Sequence, residues 1–343
     1  MKIELCNNIS EWNDYVNRSD KATLYHLFEW KSIIENTFGH KPYYLMAKDK
    51  EGVKGILPLF LISSKVFGIF MVSLPFHCIG GVCADNEEIE KALLTEAIRL
   101  TKENQGEYLE LRQFKKVEFE GIQSRENKVT FILKLDADPD VVWKNRFCSN
   151  LRNKVRKAQK FDLKIESGIK QEYVDKFYNI FSRNMKDLGT PVQSRKFFEN
   201  IIKGFPEQTK IFVASKDGKT IGVKFMMYFR DTVYFIWASS LRDHFNMASA
   251  SLLNWEVIKE ACLERYKYCD FGRSTIDDGT YKFKEQFGAE PKQLYWQYFL
   301  HTKTEMPDLN RNSDKYKTAI EIWKRMPLFM TNFIGPKIVK YIP

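Results

Sequence analysis

The amino-acid sequence predicts a mixed α/β (α+β) protein of two tandem domains sharing one fold. Each is expected to be a mixed, mostly antiparallel sheet flanked by helices, and a basic helical tail follows. Three observations lead there: composition, an internal repeat and the placement of charge. The chain has 343 residues, 44% of them hydrophobic and 15% aromatic. That much apolar surface offsets the entropy of ordering, so intrinsic disorder is excluded. The length excludes a small disulfide-stapled module and fits two domains. The expected boundaries are 1–143 and 144–305 for the domains and 306–343 for the tail.

The repeat carries most of the weight. A shift of 167 residues brings Trp30 of FEWKSIIENTF onto Phe197 of SRKFFENIIKGF, Phe38 onto Phe205, Ala47 onto Ala214 and Gly55 onto Gly222. A shift of 160 brings Leu93 onto Leu253, Ile98 onto Ile258 and Tyr108 onto Tyr268. Each half therefore reads as helix, hairpin of apolar strands, further strand, long amphipathic helix, strand. The hairpins are marked by the polar turns Asp49-Lys50-Glu51-Gly52 and Lys216-Asp217-Gly218 between β-rich runs. The long helix is marked by apolar spacing such as Leu252, Leu253, Val257 and Ile258.

Charge is local. The formal net charge is +10, and two segments account for more than all of it. Lys144–Lys170 holds nine basic residues against Asp162 and Glu166, and Lys315–Pro343 holds six against Glu321. In the first segment, LRNKVRKAQK reads as a helix with Phe147, Leu151, Val155 and Ala158 on one face. Arg152, Arg156 and Lys160 lie on another, suited to an anionic substrate or to solvent. The tail mixes Trp323, Leu328, Phe329 and Phe333 with Lys and Arg, a pattern suited to an anionic membrane surface or to packing on the domain.

Six scattered cysteines with no C-x-x-C pair fit reduced structural thiols in a cytoplasm. The start of the sequence, MKIELCNNISEWNDY, is too polar for a signal peptide. Val66–Val82 is apolar, but Pro75 and His77 interrupt it and it is too short to span a bilayer, so it reads as buried strands. No G-x-x-x-x-G-K-[ST] phosphate loop occurs, which argues against an ATP-driven ligase. The five histidines show no metal-ligand spacing.

Five runs carry a family resemblance: FEWKSII, SLPFHCIGG (Ser73–Gly81), LRNKVRKAQK (Leu151–Lys160), LGTPVQSRKFF (Leu188–Phe198) and DFGRSTIDDGTYKFKEQFGAEP (Asp270–Pro291). From about Thr23 to Leu300 the chain resembles the FemAB-like, Fem-type branch of the GNAT acyltransferases. The resemblance implies two tandem GNAT-like domains with a cleft between them. It also implies N- or O-acyl or aminoacyl transfer to a cell-envelope, polysaccharide or lipid-linked anionic precursor. No permanent cofactor is implied; acyl-CoA or aminoacyl-tRNA would be the co-substrate, and tRNA a partner in the second case. A cytoplasmic location at the inner face of the membrane follows, with the tail as the contact. The sequence departs from the GNAT pyrophosphate loop, R/Q-x-x-G-x-G/A, because Arg242–Ser251 contains no glycine. The inserted coiled-coil arm of some Fem ligases is missing too.

Acyl transfer needs an activated acceptor, a stabilised oxyanion and a proton for the leaving group. In the Fem ligases a Phe-Lys doublet sets a lysine near the acyl group, and Phe283-Lys284 matches it. Tyr281 is either a proton donor or a core aromatic, and Asp270 either a general base or a partner of Arg273. Asp277 and Asp278 read as a turn, and His244 is a lone base candidate. Arg152, Arg156, Thr190, Arg195 and Arg112 complete the candidate substrate contacts, together with Phe283 and Arg273. The competing reading is a non-catalytic protein that binds RNA or an anionic membrane through its two basic segments. No recognised RNA-binding motif accompanies that charge.

Overall fold

The computed structural model describes residues 1–307 and 314–342. The side chain of Lys315, counted above in the basic tail, and the terminal Pro343 lie outside the described residues. The chain forms two compact units. Unit 1 comprises Met1–Lys128, Gln293–Asn310 and Lys337–Pro343; unit 2 comprises Val129–Lys292 and Arg311–Pro336.

Unit 1 begins with β1 (Lys2–Leu5), α1 (Ile9–Arg18) and α2 (Glu29–Phe38). The meander β2 (Lys41–Asp49), β3 (Gly52–Ser64) and β4 (Gly68–Ser73) follows, then the short β5 (Cys83–Ala84), the long helix α3 (Glu87–Glu103) and β6 (Tyr108–Gln113). Strands β1 to β4 pair antiparallel in order. Helix α3 then carries the chain across the sheet, so β6 enters parallel to β4, with Met71 opposite Leu109 and Val72 opposite Glu110. Asn86 starts α3 by accepting the Ile89 amide at 3.0 Å. The apolar stretch from Val66 is β4 with its flanking turns, as expected. Among the described residues no helix is long and apolar enough to cross a membrane.

After β6 come β7 (Ile122–Lys134), α4 (Pro139–Asn145) and α5 (Ser149–Gln159). Unit 2 then repeats the first plan with β8 (Lys164–Gly168), α6 (Gln171–Asp187), α7 (Arg195–Gly204), β9 (Thr209–Lys216), β10 (Lys219–Phe229) and β11 (Thr232–Ser240). A 3-10 turn (Arg242–Met247), α8 (Ser249–Leu263) and β12 (Tyr268–Thr275) complete it. Strands β8 to β11 again pair antiparallel, and β12 again enters parallel, to β11. The last elements are α9 (Gly279–Glu285), β13 (Glu290–Leu300), α10 (Asp314–Arg325) and α11 (Leu328–Val339).

The repeat is thus a duplication of structure, and two of its matched pairs touch. A Cβ on Gly55 would come within 3.0 Å of Leu93 Cδ1, and one on Gly222 within 3.1 Å of Leu253 Cδ1. A bare glycine lets the long helix lie close on the central strand in both units. The hairpin turns also behave as expected. Asp217 and Gly218 both take positive φ, the backbone a two-residue hairpin loop requires.

The strands after β6 and β12 change places. β7 follows β6 in the chain, yet Val129–Lys134 belongs to unit 2, where β7 neighbours β12. β13 follows β12, yet Gln293–Leu300 belongs to unit 1, where Tyr295–Leu300 pairs antiparallel with Gln113–Tyr108 of β6. Each unit therefore completes its sheet with a strand encoded in the other half.

Candidate active site

The residues singled out from Asp270–Pro291 converge in unit 2 on one peptide, that of Gly272. Strand β12 ends at Thr275, and Asp278 opens α9 by accepting the Tyr281 amide and the Thr280 hydroxyl, both at 2.7 Å. Asp277 takes φ +64 just before it. This tight return brings α9 back onto β12, and Lys284 Nζ donates to the carbonyl oxygens of Gly272 (2.7 Å) and Arg273 (2.9 Å).

The Gly272 amide in turn donates to Asp270 Oδ1 at 2.8 Å. Thr130 of β7 donates its hydroxyl to the same oxygen. Asp270 is 4% exposed, and burial pushes its pKa up despite these bonds and the nearby Lys284. Its contacts are thus Thr130 and Gly272, while the Arg273 side chain lies exposed. Gly272 holds φ +70, and a Cβ there would sit 3.3 Å from the Phe235 carbonyl oxygen. A glycine suits both the backbone and the space.

The β11–β12 ladder pairs Thr232–Tyr234 with Tyr268–Asp270 and stops, although the strands run on to Ser240 and Thr275. On the other side of β11 the register with β10 shifts: Phe225 faces Trp237 but Met226 faces Phe235, so Ile236 is the extra residue of a bulge. Gly272 and the Lys284 ammonium thus sit where β11 and β12 have stopped pairing.

The other residues of the doublet region serve the core. The Tyr281 ring meets Phe131 edge-on at 4.8 Å and Phe283 meets Phe287 at 5.3 Å; both pack against the unit 2 core. The arginines are engaged elsewhere. Arg152 donates through Nη1 to the carbonyls of Phe147 (2.6 Å) and Lys144 (3.2 Å), closing the end of α4. Arg156 lies over the Trp143 ring at 5.7 Å. Arg195 pairs with Asp175 and with Glu199, the latter at 2.9 Å. The half-buried Thr190 donates its amide to the Met185 carbonyl where α6 ends. His244 Nε2 lies 3.3 Å from Lys219 Nζ. Arg112 belongs to unit 1: 1% exposed, it is ion-paired to Glu110 at 2.7 Å, bonded to the His77 carbonyl at 2.6 Å and stacked over Trp296.

Sequence reasoning missed Lys224. This lysine is 5% exposed on β10, with Nζ 4.7 Å from the centre of the Phe235 ring. Burial, aided by Lys284, lowers its pKa to about 7. The signal was present: Lys224 is the single charged residue in the apolar run Ile221–Phe229. Among the described residues no group of three or more His, Cys, Asp or Glu gathers as a metal site.

Ala248 takes the left-handed conformation (φ 51, ψ 34) at the start of α8, in place of a loop glycine.

Residues 145–285 match the family described as the acetyltransferase (GNAT) domain. With this match and the repeated β-meander, helix and parallel strand, the fold is that of tandem GNAT proteins. A solved structure of FemX superposes on 88% of this chain and 98% of its own, with a TM-score of 0.70 at 14% identity. The tandem GNAT protein from the clavulanic acid biosynthesis pathway covers 89% of this chain and 100% of its own (TM-score 0.54, 12% identity). The C-terminal domain of a putative lysylphosphatidylglycerol synthetase from Agrobacterium fabrum covers 85% and 92% (TM-score 0.58, 12% identity). No curated protein matches significantly. The fold is shared with FemX over most of both chains.

Proposed function

We propose that the protein is an acyltransferase acting on a cell-envelope precursor, with its chemistry in unit 2 around Lys284. The observation that carries this reading is the clamp of Lys284 Nζ on the Gly272 and Arg273 carbonyls beside the unpaired seam of β11 and β12. These two bonds fix the position of the ammonium. An acceptor amine or hydroxyl attacks the acyl carbonyl carbon, a C–N or C–O bond forms, and the bond to the donor's sulfur or oxygen breaks. The fixed ammonium stabilises the oxyanion between these events. Asp270 holds the Gly272 peptide from behind and acts as a positioning residue.

The FemX-like fold and the lysylphosphatidylglycerol synthetase neighbour favour an anionic, lipid-linked or cell-wall acceptor. The donor is an acyl-CoA or an aminoacyl-tRNA. The test is to assay the full chain with acetyl-CoA, longer acyl-CoAs and charged tRNA against amine- and hydroxyl-bearing envelope precursors. Lys284→Met should lower kcat about 10²–10³-fold with the fold intact, as loss of one oxyanion donor does. Full activity in that variant would remove Lys284 from the site.

Helix α11 supports a second contact. Phe329 is 74% and Phe333 68% exposed, one helical turn apart, with Lys337 a turn further on. This face suits the surface of an anionic bilayer. Phe329→Ser with Phe333→Ser should weaken sedimentation with phosphatidylglycerol vesicles and leave phosphatidylcholine vesicles unbound, as in the parent. Unchanged sedimentation would discard the contact.

A further inference from the structure

We propose that Lys224 is the proton acceptor of the transfer reaction: its amine takes the proton of the attacking acceptor while Lys284 holds the oxyanion as an ammonium. The proposal rests on the acyl-transfer reading and adds to it a residue that lies in neither the Phe-Lys doublet nor its flanking motif.

The geometry comes first. Phe235 is the first residue of β11 beyond its ladder with β12, and Lys224 Nζ lies over its ring, 4.7 Å from the centre. The same ring stacks on Phe271 at 4.6 Å, the residue before Gly272. Lys224 therefore reaches the place where the two strands part, next to the peptide that anchors Lys284. It comes from the side of β10, beside the bulge at Phe225 and Met226.

The surroundings separate the roles of the two lysines. Lys284 is held by two carbonyl oxygens, acceptors that favour a charged amine. Around Lys224 the neighbours are apolar or neutral. Its cross-strand partners are Phe212 on β9 and Ala238 on β11. From β12 it faces Cys269, a buried thiol whose pKa is itself raised, and from α9 the like charge of Lys284. On α8, which packs on the same core, Asn254 is buried with its Oδ1 unpartnered, a neutral group. No carboxylate pairs with Lys224 among the described residues. A buried amine without a counter-charge favours its neutral form, and its lowered pKa agrees. A neutral amine beside a fixed ammonium can divide acid and base work.

The step balances without a further reagent. Lys224 Nζ accepts a proton from the acceptor's amine or hydroxyl as the new bond to the acyl carbon forms. It returns that proton to the departing sulfur or oxygen as the donor bond breaks, and ends neutral as it began.

Two measurements on the full chain test this. With 13C-labelled lysine, one side-chain methylene signal should titrate near neutral pH and vanish in Lys224→Arg; a Lys224 signal that titrates only above pH 10 overturns the proposal. With the donor and acceptor found active above, kcat/KM should rise with pH along a limb near 7. Lys224→Met and Lys224→Arg should both lose 10²–10⁴-fold in kcat with little change in KM. Lys284→Met should keep the limb at a lower rate, moved to higher pH because the like charge that lowers the Lys224 pKa is gone. Lys224→Met should also melt at or above the parent temperature, which separates a catalytic loss from an unfolded variant. Full activity in Lys224→Arg would show that charge alone is needed, and overturns the base while leaving the transferase reading standing. No turnover by the parent with any donor overturns the transferase reading itself, and this role with it.

Discussion

Gly272 concentrates three demands in one residue: its amide serves Asp270, its carbonyl serves Lys284, and its positive φ and close approach to Phe235 exclude a side chain. Gly272→Ala should cost about 1–2 kcal/mol from the left-handed backbone alone, read by chemical denaturation, with a larger loss of transfer activity as the Lys284 clamp shifts. A second single-residue effect belongs to unit 1. His77 is buried against Trp30 (4.3 Å) and Tyr25 (5.1 Å), and burial together with Arg112 lowers its pKa to about 3 from 6.5. The unfolded chain therefore takes up that proton first. This contribution to stability is complete above pH 6.5 and drains away as pH falls toward 3. His77→Phe should keep the packing and flatten the acid limb of a melting-temperature profile; an unchanged limb would assign the acid sensitivity to other groups. Of the candidate site, Lys284 and Asp270 were legible because an unusual run of residues pointed to them. Lys224 and Arg152 were not. A lysine in a buried strand and an arginine turned back onto carbonyls are both decided by neighbours distant in sequence or by side-chain direction.

Helix α9 is only seven residues long, so its start governs where Lys284 lies. Asp278→Ala removes the acceptor for the Tyr281 amide and should cost about 0.5–2 kcal/mol. Transfer activity should fall further than for a surface substitution of equal cost; equal losses would show that α9 holds its place without the cap. Elements with a strong local rule were readable from sequence. The hairpin turns, the long helices α3 and α8, and the buried face of α5 through Leu151, Val155 and Ala158 all follow pattern and turn chemistry. What lacked a local rule stayed hidden, including the bulge at Ile236 and the point where β12 parts from β11. A ladder ends where tertiary packing ends it, and neither strand's own residues announce that.

At the scale of the molecule, the duplication was legible because it is maintained by contact: the Gly55–Leu93 and Gly222–Leu253 approaches each need both members. The exchange of β7 and β13 was not, since a repeat reveals equivalent strands and says nothing of which neighbour each one finds. It predicts that the halves do not separate. A chain ending at Gly288 retains all of Met1–Lys128 but should leave unit 1 protease-sensitive and poorly soluble; a well-folded unit 1 in that truncation would show that β13 is dispensable. The same exchange sets an order of events during synthesis. The six residues of β6 are all buried in the finished protein, and their antiparallel partner is Tyr295–Leu300. Nearly two hundred residues must therefore emerge while that edge stands bare, a template for pairing with the wrong chain. The half that is made first is the last to close, and its survival in the crowded cell depends on how quickly the second half is delivered.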